Sequence, residues 1–278
     1  MSKNGRASDP APNAQDTQMI IIGEKINATR KSIAKALEER DAEHIIRTAA
    51  EQAQAGAHYL DVNGGDPREG RETENMAWLM ELVQANTGLP VAIDTANPDA
   101  ARRGLSMATK KPILNSISLE SERLAVMLPL VAQFECMVVA LLMDDKGTPT
   151  GVDDRLQRAK ALIGKLTGAG RKIDEIIVDP CFLPVSTDPT SGRTVIEAIA
   201  AIHRQWPEVH IGGGCSNISF GLPKRRYVNF ALLSQAIYSG MDTGIIDPCT
   251  PDIMATILAA ETVAGKDDFC MNYVMAMR

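Results

Sequence analysis

The stretch Met76-Ala77-Trp78-Leu79-Met80-Glu81-Leu82-Val83-Gln84-Ala85-Asn86-Thr87-Gly88-Leu89-Pro90-Val91-Ala92-Ile93-Asp94 contains one whole repeat of an architecture. Met76, Leu79, Met80 and Val83 fall at i, i+3, i+4, i+7, which puts four apolar side chains on one helical face. Asn86-Thr87-Gly88-Leu89-Pro90 stops that helix, and a short apolar run follows that ends at the carboxylate of Asp94. Seven other runs end in the same way. Met19–Gly23 ends at Glu24, Tyr59–Leu60 at Asp61 and Asn63, Pro112–Leu114 at Asn115, and Met137–Met143 at Asp144. Ile176–Val178 ends at Asp179, Val209–Gly213 runs into Ser216 and Asn217, and Gly244–Ile246 ends at Asp247. Helix-like segments lie between successive runs. Eight strand–helix units predict the α/β class and a (β/α)8 TIM barrel, whose strand carboxyl ends share one mouth.

The other helices are read in the same way. Leu124, Met127, Leu128 and Val131 form a stripe that Pro129 is expected to kink or loosen. Leu156, Ala159, Ile163 and Leu166 form another. Ile253, Met254, Ile257 and Leu258 form the last, opened by Thr250 as N-cap with Pro251 at the first helical position. No boundary divides residues 19–278, which are expected to form one domain of a length that suits a single barrel. Residues 1–18, rich in Ala, Asn, Asp, Pro and Gln, read as a flexible N-terminal tail without a secretion core.

Composition narrows the function classes. Aromatic residues are 4% against 45% hydrophobic overall, so the expected core is aliphatic, as barrel interiors are. A net charge of −6 with no long basic run argues against nucleic acid, and no apolar stretch is long enough to span a bilayer. Five cysteines without a CxxC suit a reducing, cytoplasmic setting.

The candidate chemistry sits at the strand ends. Asp61, Asp94 and Asp179 offer carboxylates; Asn115 and Asn217 offer amides that donate and accept at once. Such a ring suits a heterocycle with amide-like and amino-pyrimidine edges. His44, His58, His203 and His210 fall in helices or at strand starts, so no histidine-based metal centre is expected. Cys181, Cys215 and Cys249 follow three strand ends, but no fourth ligand is evident, and they read as small buried side chains. Asp144-Asp145-Lys146-Gly147-Thr148-Pro149 reads as a turn. Gly212-Gly213-Gly214 fits either a phosphate cradle or close approach of a flat ring to the backbone; the following Cys215-Ser216-Asn217-Ile218-Ser219-Phe220-Gly221-Leu222-Pro223 favours the ring.

From about Ile20 to the C-terminus the chain resembles the pterin-binding methyltransferases, specifically methyltetrahydrofolate:corrinoid protein methyltransferases. The residues that carry the resemblance are Ile22-Gly23-Glu24-Lys25-Ile26-Asn27, Leu60-Asp61-Val62-Asn63, Ile93-Asp94-Thr95, Asn115-Ser116, Val178-Asp179-Pro180 and Gly214-Cys215-Ser216-Asn217-Ile218-Ser219. The related dihydropteroate synthases carry an Asn-Val-Thr-Pro-Asp-Ser-Phe-type first strand, where Asn27-Ala28-Thr29-Arg30 stands here. The resemblance implies a homodimeric enzyme of one-carbon metabolism. Its substrate would be tetrahydrofolate or 5-methyltetrahydrofolate, and a separate corrinoid protein would carry the cobalamin. It implies that Asp94, Asn115 and Asp179 hydrogen-bond the pterin and that Gly214 and Ser216 line the pocket. By the same resemblance Asn217 lies at the pterin N5 as the catalytic residue, and Arg225 contacts the folate. Phe220 stands where acetogen-type members often have Gln, so a polar contact is lost there and stacking or packing takes its place. Glu24 and Asn27 are expected either to line the mouth or to brace the first βα loop, and Asp61 and Asn63 to join the substrate-binding residues. Lys224-Arg225-Arg226 is either a solvated helix start or a partner for the folate glutamate tail. Rival readings are a dihydropteroate-synthase-like enzyme, a phosphate-ester-binding barrel (which usually needs a strand Lys not seen here) and a non-catalytic folate-binding protein.

Overall fold

Side chains alternate in direction along a strand, and this simple rule places the site. The computed structural model describes residues 19–278, so the tail reading at 1–18 lies outside the described residues. The strands are β1 (Ile20–Asn27), β2 (Tyr59–Asn63), β3 (Val91–Asp94), β4 (Ile113–Ile117), β5 (Met137–Leu141), β6 (Ile176–Asp179), β7 (His210–Gly213) and β8 (Thr243–Ile246). They pair in parallel in chain order, and β8 closes on β1. The helices are α1 (Lys31–Glu39), α2 (Ala42–Gln54), α3 (Arg71–Thr87), α4 (Pro98–Met107), α5 (Ser121–Gln133), α6 (Val152–Gly168), α7 (Ser191–Gln205), α8 (Arg226–Tyr238), α9 (Ile253–Val263) and α10 (Met271–Ala276). The expected barrel is therefore present.

Two apolar clusters result. The larger lies between the sheet and its helices and includes Ile21, Leu60, Ile93, Leu114 and Val178 with the helix stripes. The smaller collects Ile22, Ala92, Ile113, Met137, Val139, Ile177 and Ile245, with Tyr59 against it, and plugs the barrel. Adding two to Ile22, Ala92, Ile113, Ile177 and Ile245 gives Glu24, Asp94, Asn115, Asp179 and Asp247, with Asp61 two beyond Tyr59. Alternation thus carries the polar strand ends to the mouth side, directly above the aliphatic plug.

Helix details differ in three places from the sequence expectation. Met76, Leu79, Met80 and Val83 are fully buried, and Gly88 ends α3 in the left-handed conformation, as the stop signal requires. The α9 helix begins only at Ile253, capped by Asp252 at φ 69°, not at Thr250-Pro251. A turn occupies that stretch, because Asp247 accepts the Cys249 and Thr250 N–H groups on its carboxylate and its carbonyl. In α6 the buried face is Arg155, Arg158, Ala159, Leu162, Ile163 and Leu166, with Leu156 only partly buried. In α5, which runs on through Pro129, Met127, Leu130 and Val131 are buried while Leu124 and Leu128 are partly so.

Candidate active site at the barrel mouth

On the β1–β4 side the polar groups hold one another. Asp94 Oδ2 accepts the side-chain amides of both Asn27 and Asn63, each at 3.1 Å. The amide oxygens are fixed in turn: Asn27 Oδ1 accepts the N–H and hydroxyl of Thr29, and Asn63 Oδ1 accepts the Gly65 N–H. One Asp94 oxygen is thereby committed, and the other makes no hydrogen bond among the described residues. Asp61 is 2% exposed and accepts the Asn115 amide at 3.0 Å. It lies beneath the mouth as a brace for Asn115, fixing which way that amide faces. Burial pushes the Asp61 carboxyl well above its usual range, and the nearby Asp94 adds to the shift. Burial raises Asp94 as well, opposed by the bonds from Asn63 and Asn27 and by the charge of Arg123.

The β6–β8 side is built by close backbone approach. Asp179 Oδ1 accepts the Cys181 N–H at 2.9 Å, and the nearby Gly214 N–H also favours the charged carboxylate. Burial nevertheless pushes its pKa up to about 6. A Cβ at Gly213 would stand 2.0 Å from Asp179 Oδ2, and one at Gly212 would stand 1.8 Å from the Thr243 carbonyl oxygen. Both glycines are therefore needed for β7 to lie against Asp179 and β8. A tight helical turn, Cys215–Ser219, follows Gly214. The Ser216 hydroxyl donates to Glu24 Oε2 at 3.0 Å, and Glu24 also pairs with Arg30 at 3.2 Å, so β7 is tied to β1 across the mouth. Burial raises the Glu24 carboxyl, against the lowering effect of the Ser216 bond.

Asn217 is different from all of these. It is exposed, and its side chain makes no hydrogen bond among the described residues. Phe220 is 64% exposed just beyond it. Arg225 donates from Nε to the Ser219 hydroxyl at 2.9 Å and from Nη2 to the Ser216 carbonyl, which fastens the start of α8 to the turn that bears Asn217.

Three arginines behind the mouth escaped the sequence reading. Arg155 is 2% exposed and donates to the carbonyls of Pro180, Cys181 and Gly151. Arg158 pairs with Asp154 and Asp144 and donates to the Gly147 carbonyl, holding the turn after β5. Arg123 donates to the carbonyl and hydroxyl of Ser116. The available signal was that Arg155 and Arg158 sit four residues before the buried Ala159 and Leu162, on the apolar face. Among the described residues no group of three or more His, Cys, Asp or Glu side chains could hold a metal ion. Cys181 and Cys215 are buried, and burial raises both thiols far above the usual range.

Residues 23–247 match the model of the pterin binding enzyme family, and the chain belongs to it. It is 34% identical over 262 residues to the methylcorrinoid:tetrahydrofolate methyltransferase of Eubacterium limosum, across 94% of this chain and 96% of that one. It is 29% identical to the methionine synthase of Mycobacterium tuberculosis across 84% of this chain. The match spans only 21% of that longer protein. Among solved structures, a dihydropteroate synthase of Xanthomonas albilineans in complex with 7,8-dihydropteroate superposes with a TM-score of 0.68, covering 90% of this chain and 93% of that one. At 19% identity that likeness concerns the fold.

Proposed function

We propose that this protein is a methyltransferase that moves a methyl group between the cobalt of a corrinoid protein and N5 of tetrahydrofolate. The observation that carries the reading is the Asn217 amide, which stands open beside a mouth whose other amides and carboxylates are mutually braced. The near full-length similarity to a methylcorrinoid:tetrahydrofolate methyltransferase supports it. That relative's name also favours transfer from the corrinoid to the folate. A pure folate binder has no need of an unbonded amide. The phosphate-ester reading has lost its main support, since close packing accounts for Gly212 and Gly213.

The free oxygen of Asp94, Asn115 and Asp179 accept from and donate to the pterin's pyrimidine edge, with Gly214 and Ser216 lining the pocket. Arg225 fixes the turn, and Phe220 supplies an apolar wall. As the N5 lone pair bonds to the methyl carbon, the cobalt–carbon electron pair stays on cobalt, and the N5 proton becomes acidic and is released to water. Asn217 Oδ1 accepts that N–H more strongly as positive charge develops on nitrogen, so it stabilises the transition state more than the ground state. In the opposite direction the same bond holds the proton that N5 must gain. The corrinoid is a second substrate brought to the open mouth by a separate protein. Free buried cysteines support a reducing, cytoplasmic setting. A homodimer completes the proposal, and the exposed Tyr238 and Val263 beside an apolar groove on the α8–α9 face are where we place its contact.

The test is anaerobic: methylcobalamin with tetrahydrofolate, and cob(I)alamin with 5-methyltetrahydrofolate, each followed by the cobalt spectrum. Transfer in either direction supports the methyltransferase. The absence of both transfer and saturable folate binding defeats it.

A further inference from the structure

We propose that Lys224, Arg226 and Tyr227, next to Phe220 on the rim of the mouth, form a subsite for the γ-linked glutamate chain of polyglutamylated folates. The inference rests on the folate reading above and names the form of the substrate.

Lys224, Arg225 and Arg226 are three consecutive cations in a chain of net charge −6. Other cations near the mouth are neutralised locally: Arg30 by Glu24, Arg68 by Glu38 and Asp66, Arg158 by Asp144 and Asp154. Among the described residues none of the three rim cations has a carboxylate within ion-pair distance. Lys224 is exposed, at φ 50°, and its side chain makes no hydrogen bond among the described residues. The Arg226 guanidinium lies 4.8 Å over the Tyr227 ring. With Arg225 these residues line a surface cleft of about 400 Å³. Tyr227 is 56% exposed and Phe220 64%, large apolar faces kept in water beside unpaired positive charge.

Position gives the cleft its occupant. In a pterin the side arm is attached at C6, the atom next to N5. A folate whose N5 lies at Asn217 must therefore send its aminobenzoyl arm out on the Asn217 side. Phe220, the next exposed side chain after Asn217, offers an aromatic face for the benzoyl ring, and the cationic cleft begins four residues further on. Arg225 locks this order, because its bonds to Ser216 and Ser219 hold the cleft at a fixed place relative to the turn bearing Asn217. Each added glutamate brings one more carboxylate, and Lys224 and Arg226 stand ready beyond Arg225 to meet them. A flat acidic protein surface would be drawn to the same charges, but the small cleft, fastened to the turn at the reacting edge, favours a tail belonging to the same ligand.

The experiment measures binding of tetrahydrofolate carrying one, three or five glutamates, by calorimetry at low and moderate salt. The wild type is compared with Lys224→Ala/Arg226→Ala and with Lys224→Glu/Arg226→Glu. The wild type is expected to bind the triglutamate about tenfold more tightly than the monoglutamate, with a preference that salt weakens. The alanine pair should bring the ratio to within about twofold by weakening triglutamate binding far more than monoglutamate binding, and the glutamate pair should invert it. Equal affinity for one and three glutamates in the wild type overturns the subsite while leaving folate binding intact. So does a preference that survives both variants, including the case in which they slow only transfer to or from a corrinoid protein and thereby mark a protein-docking surface. No binding of any folate to the wild type would instead overturn the functional reading itself.

Discussion

The two halves of the mouth solve the same problem in opposite ways. On the β1–β4 side, Asn27, Asn63, Asp94, Asp61 and Asn115 spend their hydrogen bonds largely on each other. On the β6–β8 side, Asp179 is held by the Cys181 N–H against a glycine, and Asn217 is left unbonded. The first half is a rigid, pre-set surface whose groups make the same contacts before and during reaction. The second half keeps one group in reserve for the atom at which charge changes. Braced groups should therefore govern affinity and the free group should govern rate.

The largest expected effect tests the free group. Asn217→Ala should lower turnover by about 100-fold, the equivalent of about 3 kcal/mol, while the dissociation constant for tetrahydrofolate changes by less than about threefold. Unchanged turnover would remove the distinction between the halves. Arg155→Met comes next. It leaves the Pro180 and Cys181 carbonyls without their buried donor and should destabilise the protein by about 2 kcal/mol in urea unfolding. Near-wild-type stability would mean that the loop after Asp179 does not depend on this arginine. Asn115→Ala should weaken folate binding by about tenfold with turnover within about threefold of wild type. The opposite split, rate lost and affinity kept, would move Asn115 into the reacting half.

The smallest effect concerns Asp179. Its folded-state pKa of about 6 lies above the ordinary 3.8, so between those values the native state holds more protons than the unfolded one. Stability must then fall as pH rises through this window. Relative to Asp179→Asn, the wild type should lose about 1 kcal/mol between pH 5 and pH 6. Parallel stability profiles for the two proteins would show that the carboxylate is not desolvated as the fold suggests.

The strand ends were legible from the chain because their signal is local. A run such as Val91-Ala92-Ile93-Asp94 declares both the strand and its polar end, and period-two alternation decides that Asp94 shares a face with Ala92. The start of α9 was misread for an equally local reason. Thr250-Pro251 has the composition of a helix start, but Asp247 captures the backbone there first. The buried arginines were hidden because a charge at the beginning of a helix ordinarily faces water. Only the carbonyls of a loop some 25 residues away make burial of Arg155 favourable.

The sequence by itself determined the barrel, its aliphatic plug and the identity of the residues gathered at its mouth, since periodicity acts between neighbours along the chain. The tertiary structure alone decided which of those residues brace and which stay free. Ser216 meets Glu24 across 192 residues, and Asn115 meets Asp61 across 54. The first pair comes together only when the eighth strand closes on the first and the second only when β2, β3 and β4 pair side by side, because hydrogen bonds depend on distance in space and carry no trace in local spacing.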